Sequence, residues 1–217
     1  MKNFINIHTH HHSINYGLEI YNKKIGEEIS KSTYFSVGIH PWFISQNNLA
    51  ENYLLLEQDL QKENCLALGE IGLDKLTKTD FNLQQEVFDK QLEINKKYHK
   101  PVILHVVKAF QEIIKISKSY NYVFIIHGFN KKQQVADQLL NNGFYLSFGK
   151  DLLVKDSLQS VFKNTSLNRI FLETDAASNS IESVYKKAAS IKEISMESLI
   201  LAINNNFENV FKCNISG

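Results

Sequence analysis

Imidazole nitrogens and carboxylate oxygens are the protein's usual ligands for a transition metal, and this chain distributes them unevenly. The stretch FINIHTHHHS, residues 4 to 13, holds His8, His10, His11 and His12. In an extended strand, residues two apart point to the same side, so His8 and His10 can reach one metal while Thr9 points away. His11 and His12 are expected on the surface of the following turn, where either can contact a substrate. Four further motifs end apolar runs in an ionisable residue: GIHPW at His40, PVILH at His105, VFIIH at His127 and FLETD at Asp175. A fifth, LALGEIGLD, carries Glu70 between two glycines that let a backbone and a ligand come close. A buried carboxylate is costly unless it is paired or coordinates a cation, and Asp175 is suited both to hold a metal and to take a proton from water. Each motif alone has a plainer reading, such as a helix-capping Glu70 or core histidines at 105 and 127. Their recurrence at one position of successive units favours the metal reading.

The elements that must position these residues are short β-branched or aromatic runs separated by helical patterns. Strands are expected at 4–8, 18–21 (the weakest), 34–40, 65–70, 102–106, 123–127, 144–149 and 169–175. A helix over 81–98 carries Phe81, Val87, Phe88, Leu92 and Tyr98 near one face, with Asp80 as its N-cap. Asn130 is expected to cap a helix containing Val135, Ala136, Leu139 and Leu140, which Asn142-Gly143 stops; Ser195 opens a last helix carrying Leu199, Ile203, Phe207 and Phe211. Alternation of strands and helices fits an α/β fold, either a doubly wound sheet or a closed barrel, and eight strands favour a TIM-like (β/α)8 barrel irregular at its second strand. In such a fold the carboxyl ends of the strands share one face, so groups from His8 to Asp175 converge there.

Composition narrows the function further. With 217 residues, 43% of them hydrophobic, and no linker-like Pro or Gly tract or internal repeat, the chain reads as a single domain over 1–217. A formal charge of +1 offers no global attraction to a polyanion, so any nucleic acid must be held locally. The amino end lacks a signal-peptide apolar run and no segment approaches membrane-spanning length, which implies a cytoplasmic protein. Cys65 and Cys213 form no CxxC pair and read as ordinary thiols, and no Gly-rich nucleotide loop occurs.

Taken in order, IHTHHH, SVGIHPW, LALGEIGLD, PVILH, IIHGF, YLSFG and LETDA resemble the TatD family of metal-dependent hydrolases, with NNNFENVF near the carboxyl end also similar. The resemblance implies a barrel of the amidohydrolase-like type with two divalent ions, and phosphodiester hydrolysis of DNA. It also implies that His8, His10 and Asp175 bind one ion, that a bridging Glu70 binds the other with His105 and His127, and that His40 lies near the substrate. Either His105 or His127 contacts a phosphate in place of a tight metal bond. Zn, Mn, Fe or Ni suits the mixed nitrogen and oxygen donors, and Mg suits the carboxylate-rich half.

The chain departs from the family pattern after the fifth strand. Relatives carry a Ser-Arg-Asp type stretch there, whereas this chain has His105-Val106-Val107-Lys108, and lysine lacks the bidentate fork of arginine. AASNS also follows Asp175 where Ala-Pro-Tyr-Leu is usual. Lys108, Lys131, Lys132 and Lys150 are candidate phosphate contacts, and Trp42 and Phe129 candidate stacking surfaces for a base. Three functions follow: a phosphodiesterase or deoxyribonuclease, a metal-dependent ester or amide hydrolase favoured by the missing arginine, and a metal-binding scaffold without turnover, against which Asp175 argues. No obligate protein partner is evident.

Overall fold

A computed structural model describes residues 4–11 and 17–213 of the chain. Its strands are β1 (Ile5–Thr9), β2 (Leu18–Lys23), β3 (Phe35–Val37), β4 (Cys65–Asp74), β5 (Val102–Val107), β6 (Phe124–Ile126), β7 (Tyr145–Phe148) and β8 (Ile170–Leu172). They form one sheet in chain order, β1 through β8, and the fold class is the (β/α)8 barrel. The helices are α1 (Leu49–Leu60), α2 (Phe81–Asn95), α3 (Phe110–Ser117), α4 (Gln133–Asn141), α5 (Asp151–Val154), α6 (Asp156–Asn164), α7 (Ile181–Lys192) and α8 (Met196–Phe211). By contacts the chain divides into two compact units, Met1–Tyr21 with Ile126–Gly217, and Asn22–Ile125.

In the first unit, β2 is present despite its weak apolar pattern, because it pairs in parallel with β1 (Ile5 beside Leu18, Asn6 beside Glu19). A parallel bridge from Thr9 to Asp175 ties the end of β1 to the segment after β8. Both backbone groups of Ile5 are taken by one side chain: the buried Tyr185 hydroxyl on α7 accepts from its amide and donates to its carbonyl, each at 3.0 Å. Leu199, Ile203, Phe207 and Phe211 of α8 are buried, and Ser195 caps that helix by accepting from the Ser198 amide. The cap expected at Asn130 is not formed. Helix α4 starts at Gln133 after Lys132, and the Asn130 amide instead donates to Asp151.

In the second unit, all ten residues of β4 are buried, four more than its apolar run suggested. Gly69 and Gly72 serve this strand's contact with β5. A Cβ on Gly69 would lie 2.7 Å from the Ile103 carbonyl oxygen and one on Gly72 1.9 Å from that of His105, so side chains there would force the strands apart. Helix α2 buries Val87, Phe88 and Leu92 as its spacing predicts, and Asp80 caps it by accepting from the Leu83 amide. The same helix also buries Gln84, Gln91 and Asn95. Gln91 accepts from the Ile39 amide at 2.6 Å and donates to its carbonyl at 3.1 Å, and Gln84 does the same for Asp74 at 2.8 and 3.0 Å. Buried main-chain groups need partners, and these amides supply them where strand pairing lapses. Lys23, the last residue of β2, and Asp59 form a buried ion pair that Lys62 joins from solvent.

Candidate metal centre

Each unit gathers imidazole and carboxylate groups at its strand ends. In the first, His8 is the penultimate residue of β1 and His10 follows the strand, as the H-x-H spacing requires. Asp175 follows β8, and its main chain is stapled to the same segment: its amide donates to the His8 carbonyl at 3.0 Å, and its carbonyl accepts from the His10 amide at 3.1 Å. These bonds hold Asp175 at a φ of 54°, a left-handed conformation unusual for a residue with a side chain. The result is convergence. Asp175 Oδ1 lies 3.3 Å from His10 Nε2 and 3.7 Å from His8 Nε2, with the two rings edge to face. Behind β1, Asn6 donates to the Thr174 hydroxyl and accepts from the Thr174 amide, fixing the chain just before Asp175.

His127 follows β6 in the same unit, its ring centroid 4.5 Å from that of His8. Its Nδ1 is 3.4 Å from Oε1 of Glu173, a wholly buried carboxylate that also accepts from the Gly128 amide at 2.7 Å. Lys150, Asn130, Asp151, Glu173 and Asp175 border a cavity of about 100 Å³ beside this group.

In the second unit, Glu70 lies within β4, which runs four residues past its expected end, and His105 lies within β5, two residues before its end. His40 follows β3, where its Nδ1 accepts from the Trp42 amide at 3.1 Å and caps the 3-10 turn Pro41–Phe43. That bond leaves the neutral ring's proton on Nε2, which donates to Glu70 Oε1 at 3.1 Å. The geometry therefore makes His40 a partner of Glu70. Asn22 donates to the other carboxylate oxygen at 3.3 Å and accepts from the Glu70 amide at 3.1 Å. His105 lies between two carboxylates, with Nδ1 2.8 Å from Glu70 Oε1 and Nε2 3.2 Å from Asp74 Oδ2. Burial pushes the Asp74 carboxyl up, but hydrogen bonds from Trp42, the Leu76 amide and His105 outweigh it and hold the group below the usual carboxylate range.

The donors fit divalent ions. His8, His10 and Asp175 each offer a ligand atom, all within 4.8 Å of one another, and in the second unit Glu70 Oε1 and His105 Nδ1 converge at 2.8 Å while His40 donates to the same carboxylate. Lone pairs converging at such distances repel unless a proton or a cation lies among them, and the mixture of nitrogen and oxygen is that of transition-metal sites.

The other candidate residues divide. Trp42 is 55% exposed beside this group, its indole donating to Asp74 Oδ2 at 2.6 Å. Phe129 is 2% exposed and packs on Phe148, so its ring is core and offers no open face to a base. Lys108, exposed just past β5, takes a left-handed φ of 54°; Lys132 and Lys150 are exposed and Lys131 half-buried. His11 is an exposed turn residue whose Nε2 lies 3.2 Å from the Ala176 carbonyl, and His12 falls outside the described residues. Asp74, Glu173 and Asn22 are site residues that the ends of the apolar runs did not reveal. Two were visible in another way: Asp74 stands four residues after Glu70 and Glu173 two before Asp175, spacings that share a strand face.

A (β/α)8 fold with imidazole and carboxylate donors gathered toward its strand ends is a barrel that could hold metal. Within that class, residues 1–212 match the family model described as TatD related DNase, and the chain belongs to this family. It is 31% identical over 153 residues to an "Uncharacterized metal-dependent hydrolase" of Buchnera aphidicola subsp. Baizongia pistaciae, a match covering 68% of this chain and 57% of that relative. It is 30% identical over 187 residues to "Uncharacterized metal-dependent hydrolase BU355" of Buchnera aphidicola subsp. Acyrthosiphon pisum, covering 81% and 69%. The fold matches the crystal structure of YjjV, a TatD homolog from Escherichia coli, with a TM-score of 0.83 at 22% identity over 97% of this chain and 98% of that one. A TatD family hydrolase from Entamoeba histolytica matches with a TM-score of 0.82 at 18% identity and the same coverage.

Proposed function

We propose that the 217 residues form one hydrolase domain that cleaves phosphodiester bonds, with DNA as the substrate class, using two divalent ions. The observation that carries this reading is the group of His8, His10 and Asp175, whose donor atoms converge within 4.8 Å while Asp175 keeps a third of its side chain open to an incoming reactant. His8, His10 and Asp175 hold one ion; Glu70 and His105 hold the other, with His127 as the remaining imidazole donor. When bound, the ions lower the pKa of water, polarise the phosphoryl group and stabilise the leaving alkoxide. Asp175 orients the attacking water and accepts its proton as the new oxygen–phosphorus bond forms and the bond to the leaving oxygen breaks. His40 holds Glu70 by the bond from its Nε2, and Trp42 offers its exposed indole for stacking on an unpaired base. Lys108 supplies a point charge for a phosphate in place of the family's arginine.

A cytoplasmic location is part of the same proposal; among the described residues no helix is long and apolar enough to cross a membrane. The test is hydrolysis of fluorescent single-stranded DNA and of bis(p-nitrophenyl) phosphate by metal-reconstituted protein, beside Asp175→Asn and EDTA-treated samples. Cleavage of both that depends on metal and on Asp175 supports the reading.

A second reading, hydrolysis of an ester or amide at the same ions, is favoured by two features: Val107 stands where a bidentate arginine is usual, with Lys108 only at the next position, and the net charge is only +1. Aryl ester and amide substrates run in the same assay distinguish it. A scaffold that binds metal without turnover predicts none of these activities.

A further inference from the structure

We propose that Asp74 is a positioning residue of the Glu70 site: it holds the proton of His105 on Nε2, so that Nδ1 turns its lone pair toward the ion shared with Glu70. Through the same oxygen it links Trp42 to the state of that ion. The inference rests on the reading of Glu70 and His105 as ligands.

A neutral imidazole carries one N–H, yet each ring nitrogen of His105 lies within hydrogen-bond distance of a carboxylate, Glu70 Oε1 at 2.8 Å and Asp74 Oδ2 at 3.2 Å. One contact takes the proton. The other sets a lone pair against an anion and needs a cation between them. The surroundings decide which is which. Asp74 is 3% exposed and fixed on every side: Gln84 grips its amide and carbonyl, the Leu76 amide donates to Oδ1 at 2.8 Å, and the Trp42 indole donates to Oδ2 at 2.6 Å. It is built as an acceptor, and His105 Nε2–H completes it. Glu70 Oε1 takes its proton donor from His40 Nε2 at 3.1 Å, so its 2.8 Å contact with His105 Nδ1 is the one suited to a shared cation. A histidine ligand whose second nitrogen donates to a carboxylate is thereby held in one tautomer and one orientation.

Trp42 is drawn into the same contact. Its indole and the His105 imidazole meet at one oxygen, and their rings are 5.4 Å apart edge to face. Trp42 is the chain's only tryptophan, so its emission isolates this contact. An ion bound at Nδ1 makes His105 a stronger donor to Asp74 Oδ2 and changes the share of that oxygen left to the indole.

The test is titration of metal-stripped protein with Zn²⁺ alone, followed by calorimetry and by Trp42 fluorescence, for the native chain, Asp74→Asn and Glu70→Gln. The proposal expects the native emission to change with the zinc isotherm of the site that Glu70→Gln abolishes. It expects Asp74→Asn to weaken that site about 10- to 100-fold and to remove the emission change. Native zinc affinity and an unaltered emission change in Asp74→Asn overturn it. A native isotherm identical to that of Glu70→Gln overturns the ligand reading beneath it instead. Independently of any variant's folding, histidine ¹⁵N NMR of the zinc-loaded native protein should place the His105 proton on Nε2, and a proton on Nδ1 contradicts the proposal.

Discussion

The amide of Asp175 donates to the carbonyl of His8 at 3.0 Å, while the carboxylate of Asp175 lies 3.7 Å from the imidazole of the same histidine. Two proposed ligands distant in sequence are thus spaced by the main chain itself.

This arrangement predicts the effect of replacing Asp175. Asparagine tolerates the left-handed backbone at this position and preserves the staple to His8 and His10. Asp175→Asn should therefore melt close to the native temperature while losing about 10²- to 10⁴-fold in hydrolytic rate, the range for a missing proton acceptor. Asp175→Val should in addition lower the melting temperature, because a β-branched residue at a φ of 54° is strained. Thermal melts and steady-state rates of the two variants separate the contributions.

Tyr185 makes a second prediction, on stability. Its hydroxyl satisfies both the amide and the carbonyl of Ile5 inside the fold. Tyr185→Phe keeps the packing but strands two buried polar groups, and urea unfolding should show a loss of about 1–3 kcal/mol. A loss below the error of the measurement would mean that water replaces the hydroxyl.

Asp59 should be more sensitive still. Its pairing with Lys23 is buried, so Asp59→Asn leaves an ammonium without its counter-charge and should cost about 3–5 kcal/mol. Lys62 reaches the same carboxylate from solvent, and Lys62→Ala should cost no more than about 1 kcal/mol. Equilibrium unfolding of the two variants side by side checks the contrast.

Cys65 gives a pH dependence. Burial pushes its thiol up from 9.0 to about 12. Below pH 9 the thiol is protonated in both folded and unfolded chains, and its contribution is fully present. As pH rises past 9 the unfolded chain releases a proton that the folded chain retains, so stability falls by about 1.4 kcal/mol per pH unit until the folded thiol ionises near 12. Native protein should lose more stability than Cys65→Ala between pH 8 and pH 10, and thiol reagents at pH 8 should modify Cys213 well before Cys65. Equal pH slopes in the two proteins would contradict the assigned burial effect.

Much of this architecture is legible in the sequence because hydrophobic periodicity and strand-end chemistry are local signals. The H-x-H pair, the apolar run through LALGE and the Ser195 cap each follow from a few neighbouring residues. What escaped depends on distant partners. Gln84 and Gln91 look like solvent-facing helix residues until the unpaired backbone of Asp74 and Ile39 is seen opposite them. Asn130 carries a capping side chain, but Asp151 competes for it. Phe129 follows a candidate ligand and reads as a contact surface, yet Phe148 buries it. Asp74 and Glu173 lie beside the more conspicuous Glu70 and Asp175, and their partnerships with His105 and His127 emerge only from the packing of neighbouring strands.

Residues grouped around Asp175 and around Glu70 are proposed to use divalent ions to cleave phosphodiesters. The most direct measurement is the rate of cleavage of a fluorescent single-stranded DNA by the metal-stripped protein, before and after a stoichiometric addition of Zn²⁺ or Mn²⁺, with Asp175→Asn alongside. The expected result is no cleavage without metal, cleavage on addition, and its loss in Asp175→Asn. Bound metal with no cleavage of DNA or of bis(p-nitrophenyl) phosphate would contradict it and turn attention to esters and amides.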